Sequence, residues 1–60
     1  MKRVTIRTID GNRYEFDLED FSITDFCTLD GNWYKEIPIT GGYHYFNLRN
    51  VVSVTERIAD

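Results

Sequence analysis

In Arg13-Tyr14-Glu15-Phe16-Asp17-Leu18-Glu19, apolar and charged residues alternate without a break. Successive side chains of a β-strand point to opposite faces. Tyr14, Phe16 and Leu18 therefore face a core, and Arg13, Glu15, Asp17 and Glu19 face water. Just upstream, Asp10-Gly11-Asn12 supplies the positive-φ backbone of a tight hairpin turn. Before that turn, Val4 and Ile6 share one face and Arg3, Thr5 and Arg7 the other. These two runs read as the arms of one hairpin.

Downstream, Asp30-Gly31-Asn32 copies the turn, and Thr28 to Tyr34 matches Thr8 to Tyr14 at a fixed offset of 20 residues. Duplication of a hairpin and convergence on a good turn both account for the match. A second hairpin is expected, with one arm from Phe21 to Leu29 and the other from Trp33 to Ile39. A bulge near Asp25 would turn Phe26 inward. Pro38 lacks a ladder donor, which places its strand at an edge or ends it. Gly41-Gly42 reads as a loop hinge where another backbone could approach. It is followed by a strand from Tyr43 to Phe46 or Asn47, a short turn, and a last strand from Val51 to about Ile58. The expected fold is one all-β domain, residues 1–60, of five or six antiparallel strands in a small barrel or strongly bent sheet. Its expected core is Val4, Ile6, Tyr14, Phe16, Leu18, Ile23, Leu29, Ile37, Val52 and Val54.

The closing segment, Asn47-Leu48-Arg49-Asn50 followed by Val51-Val52-Ser53-Val54-Thr55-Glu56, resembles the end of small barrels of the Sm-like and Src-homology type. That resemblance covers about the last sixteen residues and implies a single 3₁₀ turn between the last two strands; it brings no catalytic residue. As a compact acidic β-protein, the chain also resembles the short proteins with which bacteriophages bind and disable host proteins. This implies an anti-defence inhibitor.

A chain of 60 residues supports one thin core, because so small a domain buries only about 60% of its unfolded surface. A disulfide is excluded by the single cysteine, Cys27, and a zinc cage by one Cys with one His, His44. Self-association, with a homodimer favoured, is the expected supplement. The composition, 42% hydrophobic and 28% charged, is that of a folded soluble protein rather than a disordered one. No apolar run approaches the ~20 residues of a membrane span, and nothing reads as a signal peptide. A cytoplasmic location without membrane contact is expected.

The net charge of −3 hides an asymmetry. Residues 1–14 carry Lys2, Arg3, Arg7 and Arg13 against Asp10, whereas residues 15–30 carry Glu15, Asp17, Glu19, Asp20, Asp25 and Asp30 with no base. Carboxylates on one strand face stand about 6.5 to 7 Å apart. Glu15, Asp17, Glu19 and Asp20 could thus imitate a phosphate row or receive a basic partner. Equally, Glu15 and Asp17 could pair with Arg3 and Arg7 across the first hairpin. Direct nucleic-acid binding is not expected, because it needs a basic stripe with interleaved aromatics and only Lys35 and Arg49 lie near the aromatic segments. Those segments hold Trp33, Tyr34, Tyr43, His44 and Tyr45. A small β-domain cannot bury all of them, so some should be exposed as partner anchors, although Trp33, Tyr45 and Phe46 could equally fill the core.

Catalysis is not expected. Cys27 lies in an apolar alternation, where a free thiol is an inert small hydrophobe, and the carboxylates lack a cleft. The Asp-Gly-Asn copies lack the further ligands of a calcium loop, and no cofactor is implied. The expected function is a non-enzymatic binding protein that inhibits or tunes a host protein through its acidic strand and exposed aromatics. The alternatives are an oligomer that sequesters a small molecule among Trp33, Tyr34, Tyr43 and His44, or a small structural barrel.

Overall fold

The computed structural model describes residues 1–28 and 31–59. It contains five strands and one short helix: β1 (Lys2–Thr8), β2 (Arg13–Leu18), α1 (Ile23–Cys27), β3 (Tyr34–Ile39), β4 (Gly42–Asn47) and β5 (Val51–Ile58). A 3₁₀ turn, Leu48–Asn50, separates the last two strands. All pairings are antiparallel, in a three-stranded sheet of order β2-β1-β5 and a two-stranded sheet β3-β4. The all-β class holds, but the strands do not close into a barrel.

The first hairpin forms as its sequence dictates. Val4 stands opposite Phe16 and Ile6 opposite Tyr14, and β-branched residues suit the pleated surface. Gly11, at φ +86°, takes the turn conformation that a Cβ would resist. Its N–H donates to the Thr8 carbonyl at 3.1 Å, and the Thr8 N–H donates to the Asn12 carbonyl at 3.0 Å. The result is a three-residue loop with glycine at the bulged position.

The expected second hairpin does not form. Phe21 to Thr28 is not a strand: residues 23–27 make α1, capped by Ser22, whose Oγ accepts from the Asp25 N–H at 3.3 Å. Thr28 Oγ1 closes the far end by donating to the Thr24 carbonyl at 2.6 Å. The helix, rather than a bulge, turns Phe26 inward, and it leaves Cys27 exposed instead of buried. Gly31 has φ +88°, much like Gly11. There, however, the chain leads from α1 into β3, so the offset-20 match does not mark a second hairpin. Leu29 and Asp30 lie outside the described residues. The partner of β3 is β4, joined through Thr40-Gly41 with Ile39 opposite Gly42. Gly41-Gly42 is therefore part of a tight hairpin, and no other atom approaches either glycine within 4 Å of where a Cβ would stand.

The inner faces of the two sheets pack together. Val4, Ile6, Leu18, Phe26, Ile37 and Phe46 are buried, with Tyr14, Phe16, Phe21, Leu48, Val51 and Val54 packed around them. Phe46 is the hub. Its ring meets Tyr14, Phe16 and Phe26 edge to face at centroid distances of 5.2, 6.0 and 6.3 Å, the arrangement aromatic quadrupoles favour. Val52 departs from the expected core, with 65% of its surface exposed. The β1–β5 register shifts between Arg7 and Thr8, so that Ser53 and Val51 are paired and Val52 is extra. This bulge resets the alternation and places Val51 and Val54 on the inner face. At the open end of the core, Lys2 Nζ donates to the Phe21 carbonyl at 3.0 Å and stands 3.3 Å from the solvent-shielded Glu56 Oε2.

Removing the hub should be severe. Phe→Ala in a core costs about 3 to 5 kcal/mol, against a total of roughly 3 to 9 kcal/mol for a domain this size. Phe46→Ala should be largely unfolded in a urea titration followed by circular dichroism. Tyr43→Ala, on the outer face of β4, should stay within about 0.5 kcal/mol of the parent.

Candidate functional site

Alternation on β2 sends Glu15 and Asp17 to the outer face of the three-stranded sheet, where each meets an arginine. Arg3 Nε donates to Asp17 Oδ1 at 2.9 Å and Nη2 to Oδ2 at 3.4 Å, while Arg13 Nη2 donates to Glu15 Oε2. Arg3 and Asp17 are directly opposite across the β1–β2 ladder. The arginine thus holds the Asp17 carboxyl below the ordinary carboxylate range, chiefly through its hydrogen bond. Glu19 and Asp20 lie beyond the strand, in the bend before Phe21. The expected row of free carboxylates is therefore interrupted: two members are neutralised, and two project from a different element.

Asp20 instead joins a groove of about 500 Å³ between the α1 segment and β3. One wall carries Asp20, Phe21 and Asp25, and the other runs through the consecutive residues Tyr34 to Pro38, with Tyr45 beside them. Consecutive strand residues point alternately up and down, so a wall made of five in a row is a strand edge. That edge of β3 is the one not paired with β4. Asp20, Asp25 and Glu36 line the groove with a single base, Lys35, so acidic residues outnumber basic ones there.

The outer face of the β3–β4 hairpin continues this surface. Tyr34, Tyr43 and Tyr45 are 61%, 58% and 63% exposed, and the Tyr43 and Tyr45 rings lie 6.5 Å apart. Register places Pro38 opposite Tyr43 and Glu36 opposite Tyr45. The Glu36 carboxylate beside it raises the Tyr45 phenol above its ordinary value.

The other expected site residues lie elsewhere. His44 faces inward, half-buried, stacked on Phe46 at 4.4 Å and edge-on to Tyr14 at 5.1 Å. Trp33 precedes β3; its carbonyl accepts from the Leu48 N–H at 2.8 Å, and the Arg49 guanidinium lies 4.6 Å over its ring. With Cys27, Leu48 and Val52 it lines a separate, smaller groove of about 240 Å³. On a single chain, Trp33, Tyr34, Tyr43 and His44 therefore do not enclose a common ligand pocket. Sequence reasoning missed Asp25 and Glu36 as groove carboxylates. The sequence does hold a signal for the helix that positions Asp25: Ser22-Ile23-Thr24-Asp25 has the [ST]-x-x-[DE] spacing of a capped helix start.

Because the folded chain depresses the Asp17 pKa, its ion pair stabilises the fold fully above the unfolded-chain value of about 3.9. That contribution is lost as pH falls through the folded value. Arg3→Ala should return Asp17 to the ordinary carboxylate range in a carbon-detected NMR titration. Asp10, held low first by the Thr8 hydroxyl and then by Asn12, should keep its lowered value. Movement of both together would refute the assignment.

Comparison with known proteins adds no name: no family model, no curated protein and no solved structure matches the chain.

Proposed function

We propose that this is a non-enzymatic binding protein that captures an extended, basic segment of a partner protein along the edge of β3 that faces away from β4. One observation carries the reading: that strand edge, Asp20, Asp25 and Glu36, and the exposed Tyr34 and Tyr45 line one continuous groove. An extended segment would lie along the edge as an added strand. The carboxylates would steer and orient a cationic partner, and the tyrosines would supply rigid anchors of the kind that dominate interface energetics. Such a module acts by occupancy, which suits an inhibitor or modulator of a host protein. The groove supports this role better than the β2 carboxylates do, because Glu15 and Asp17 are already paired with arginines.

The test is affinity capture from bacterial lysate, followed by titration of the captured partner. Tyr34→Ala should weaken binding by roughly thirtyfold, the size of a 2 kcal/mol hot spot. Asp20→Lys with Glu36→Lys should abolish it, whereas Glu15→Lys with Asp17→Lys should leave it near the parental value. The opposite pattern would move the site to β2.

Self-association belongs to the same proposal. The six-residue core is thin, and exposed Val52 and Ile58 lie on β5, which pairs only with β1. Pairing of β5 with β5 of a second copy would extend the sheet and cover both. Sedimentation should show a dimer, and a stable monomer at high concentration would rule this out.

A further inference from the structure

The outer face of the three-stranded sheet gathers arginines that are scattered in the sequence. Arg7 is directly opposite Arg13 on β2 and, on its other side, directly opposite Ser53 on β5. One rung along the same face, Thr5 is flanked by Glu15 and Thr55. Two like charges in direct cross-strand register cost stability, and only Arg13 is relieved, by Glu15. Among the described residues Arg7 is exposed and makes no ion pair. Thr5, Ser53 and Thr55, with short side chains, and Arg7 and Arg13, with long ones, line a hollow of about 310 Å³.

Every side chain lining this hollow can donate a hydrogen bond: two guanidinium forks, which have no acceptor, and three hydroxyls. We propose that this hollow binds a phosphate group, with Arg7 and Arg13 as its charged clamp and Thr5, Ser53 and Thr55 as hydroxyl donors. The class follows from the geometry of the donors. A carboxylate offers two coplanar oxygens, which one fork occupies, whereas the tetrahedral oxygens of a phosphate can meet a fork on one side and hydroxyls on another. Glu15 is the gatekeeper. It occupies the Arg13 guanidinium when the hollow is empty, and its carboxylate opposes the incoming anion, so the phosphate competes with it. The hollow shares no residue with the β3 groove, and the inference does not depend on the proposal made for that groove.

The experiment follows amide and arginine Nε–H resonances of the intact protein by NMR during titration with inorganic phosphate, adenosine monophosphate and a short uridine oligonucleotide, at constant ionic strength. Saturable shifts at Thr5, Arg7, Ser53 and Thr55 are expected with at least one of the three. Preference for the oligonucleotide assigns the group to a phosphodiester backbone, and preference for either small molecule assigns it to a free phosphate or phosphomonoester. Arg7→Ala should weaken binding about tenfold, the size of a lost charged hydrogen bond. Glu15→Gln should strengthen it several-fold by releasing Arg13. Both positions are exposed, and the amide spectrum of each variant reports whether its fold is retained. Absence of saturable shifts with all three ligands, binding by R7A equal to that of the parent, or binding by E15Q no tighter than that of the parent would each overturn the proposal.

Discussion

The contact between the Phe46 ring and the inner face of the three-stranded sheet is the constraint from which the rest follows. Among the described residues the two sheets share no ladder, so ladder hydrogen bonds between these strands do not hold them together. Side-chain packing must, and in a core of six buried residues most of the directional part is aromatic. Phe46 meets Tyr14 and Phe16 from β2 and Phe26 from α1, while His44 stacks against it from the same strand. Pairs of this kind contribute about 0.5 to 1.5 kcal/mol beyond their buried area. Their edge-to-face geometry also fixes how the β3–β4 hairpin sits on the sheet. The edge of β3 away from β4 lines a groove because this packing leaves it there.

Inward commitment of Phe46 and His44 determines what Tyr43 and Tyr45 must do. Side chains alternate, so an inward 44 and 46 force 43 and 45 outward. The exposed tyrosine platform is thus the obligatory reverse side of the aromatic core. The same rule governs charge on the other sheet. Along the chain, bases precede acids, and the first thirty residues look like a basic block followed by an acidic one. Antiparallel pairing folds the blocks onto each other, setting Arg3 against Asp17 at 2.9 Å. Asp20 lies where that ladder ends, and Asp25 where the chain has left the strands, so neither stands opposite an arginine in it.

How much of this was legible depended on whether a feature is set by local period or by tertiary context. The first hairpin was legible because six alternating residues and an Asp-Gly turn point the same way. The β4–β5 connection was legible because Asn47 and Leu48 interrupt the alternation between two clear runs. The helix was not, because five residues make little more than one turn, too few for a 3.6-residue period to outweigh the chance spacing of Phe21, Ile23 and Cys27. A short helix is also a product of its cap and its packing rather than of propensity, and Phe26 packs 5.6 Å from Phe21. Val52 was misplaced because a bulge changes side-chain parity without leaving a signature in Val-Val-Ser-Val. For the candidate site, the exposed tyrosines were foreseeable by crowding alone. Grouping Asp20, Asp25 and Glu36 required knowing that α1 crosses over to β3.

A domain with so little interior must keep its function on residues that the interior does not need. Here the division is nearly complete. The core uses alternate positions of β1, β2, β4 and β5 with Ile37 of β3 and Phe26 of α1, and the intervening strand positions carry mostly arginines, carboxylates, hydroxyls and tyrosines. The basic hollow and the acidic groove lie on separate surfaces, with the aromatic core behind the first and beside the second. Opposite charge therefore accumulates at two places on one small body without mutual neutralisation, although the chain as a whole is only weakly acidic. Ligands at the two surfaces would not compete for residues. Any coupling between them would have to pass through the β1–β2 ladder and the Phe46 contact, because that path links the arginine rows to the strand bearing Tyr45.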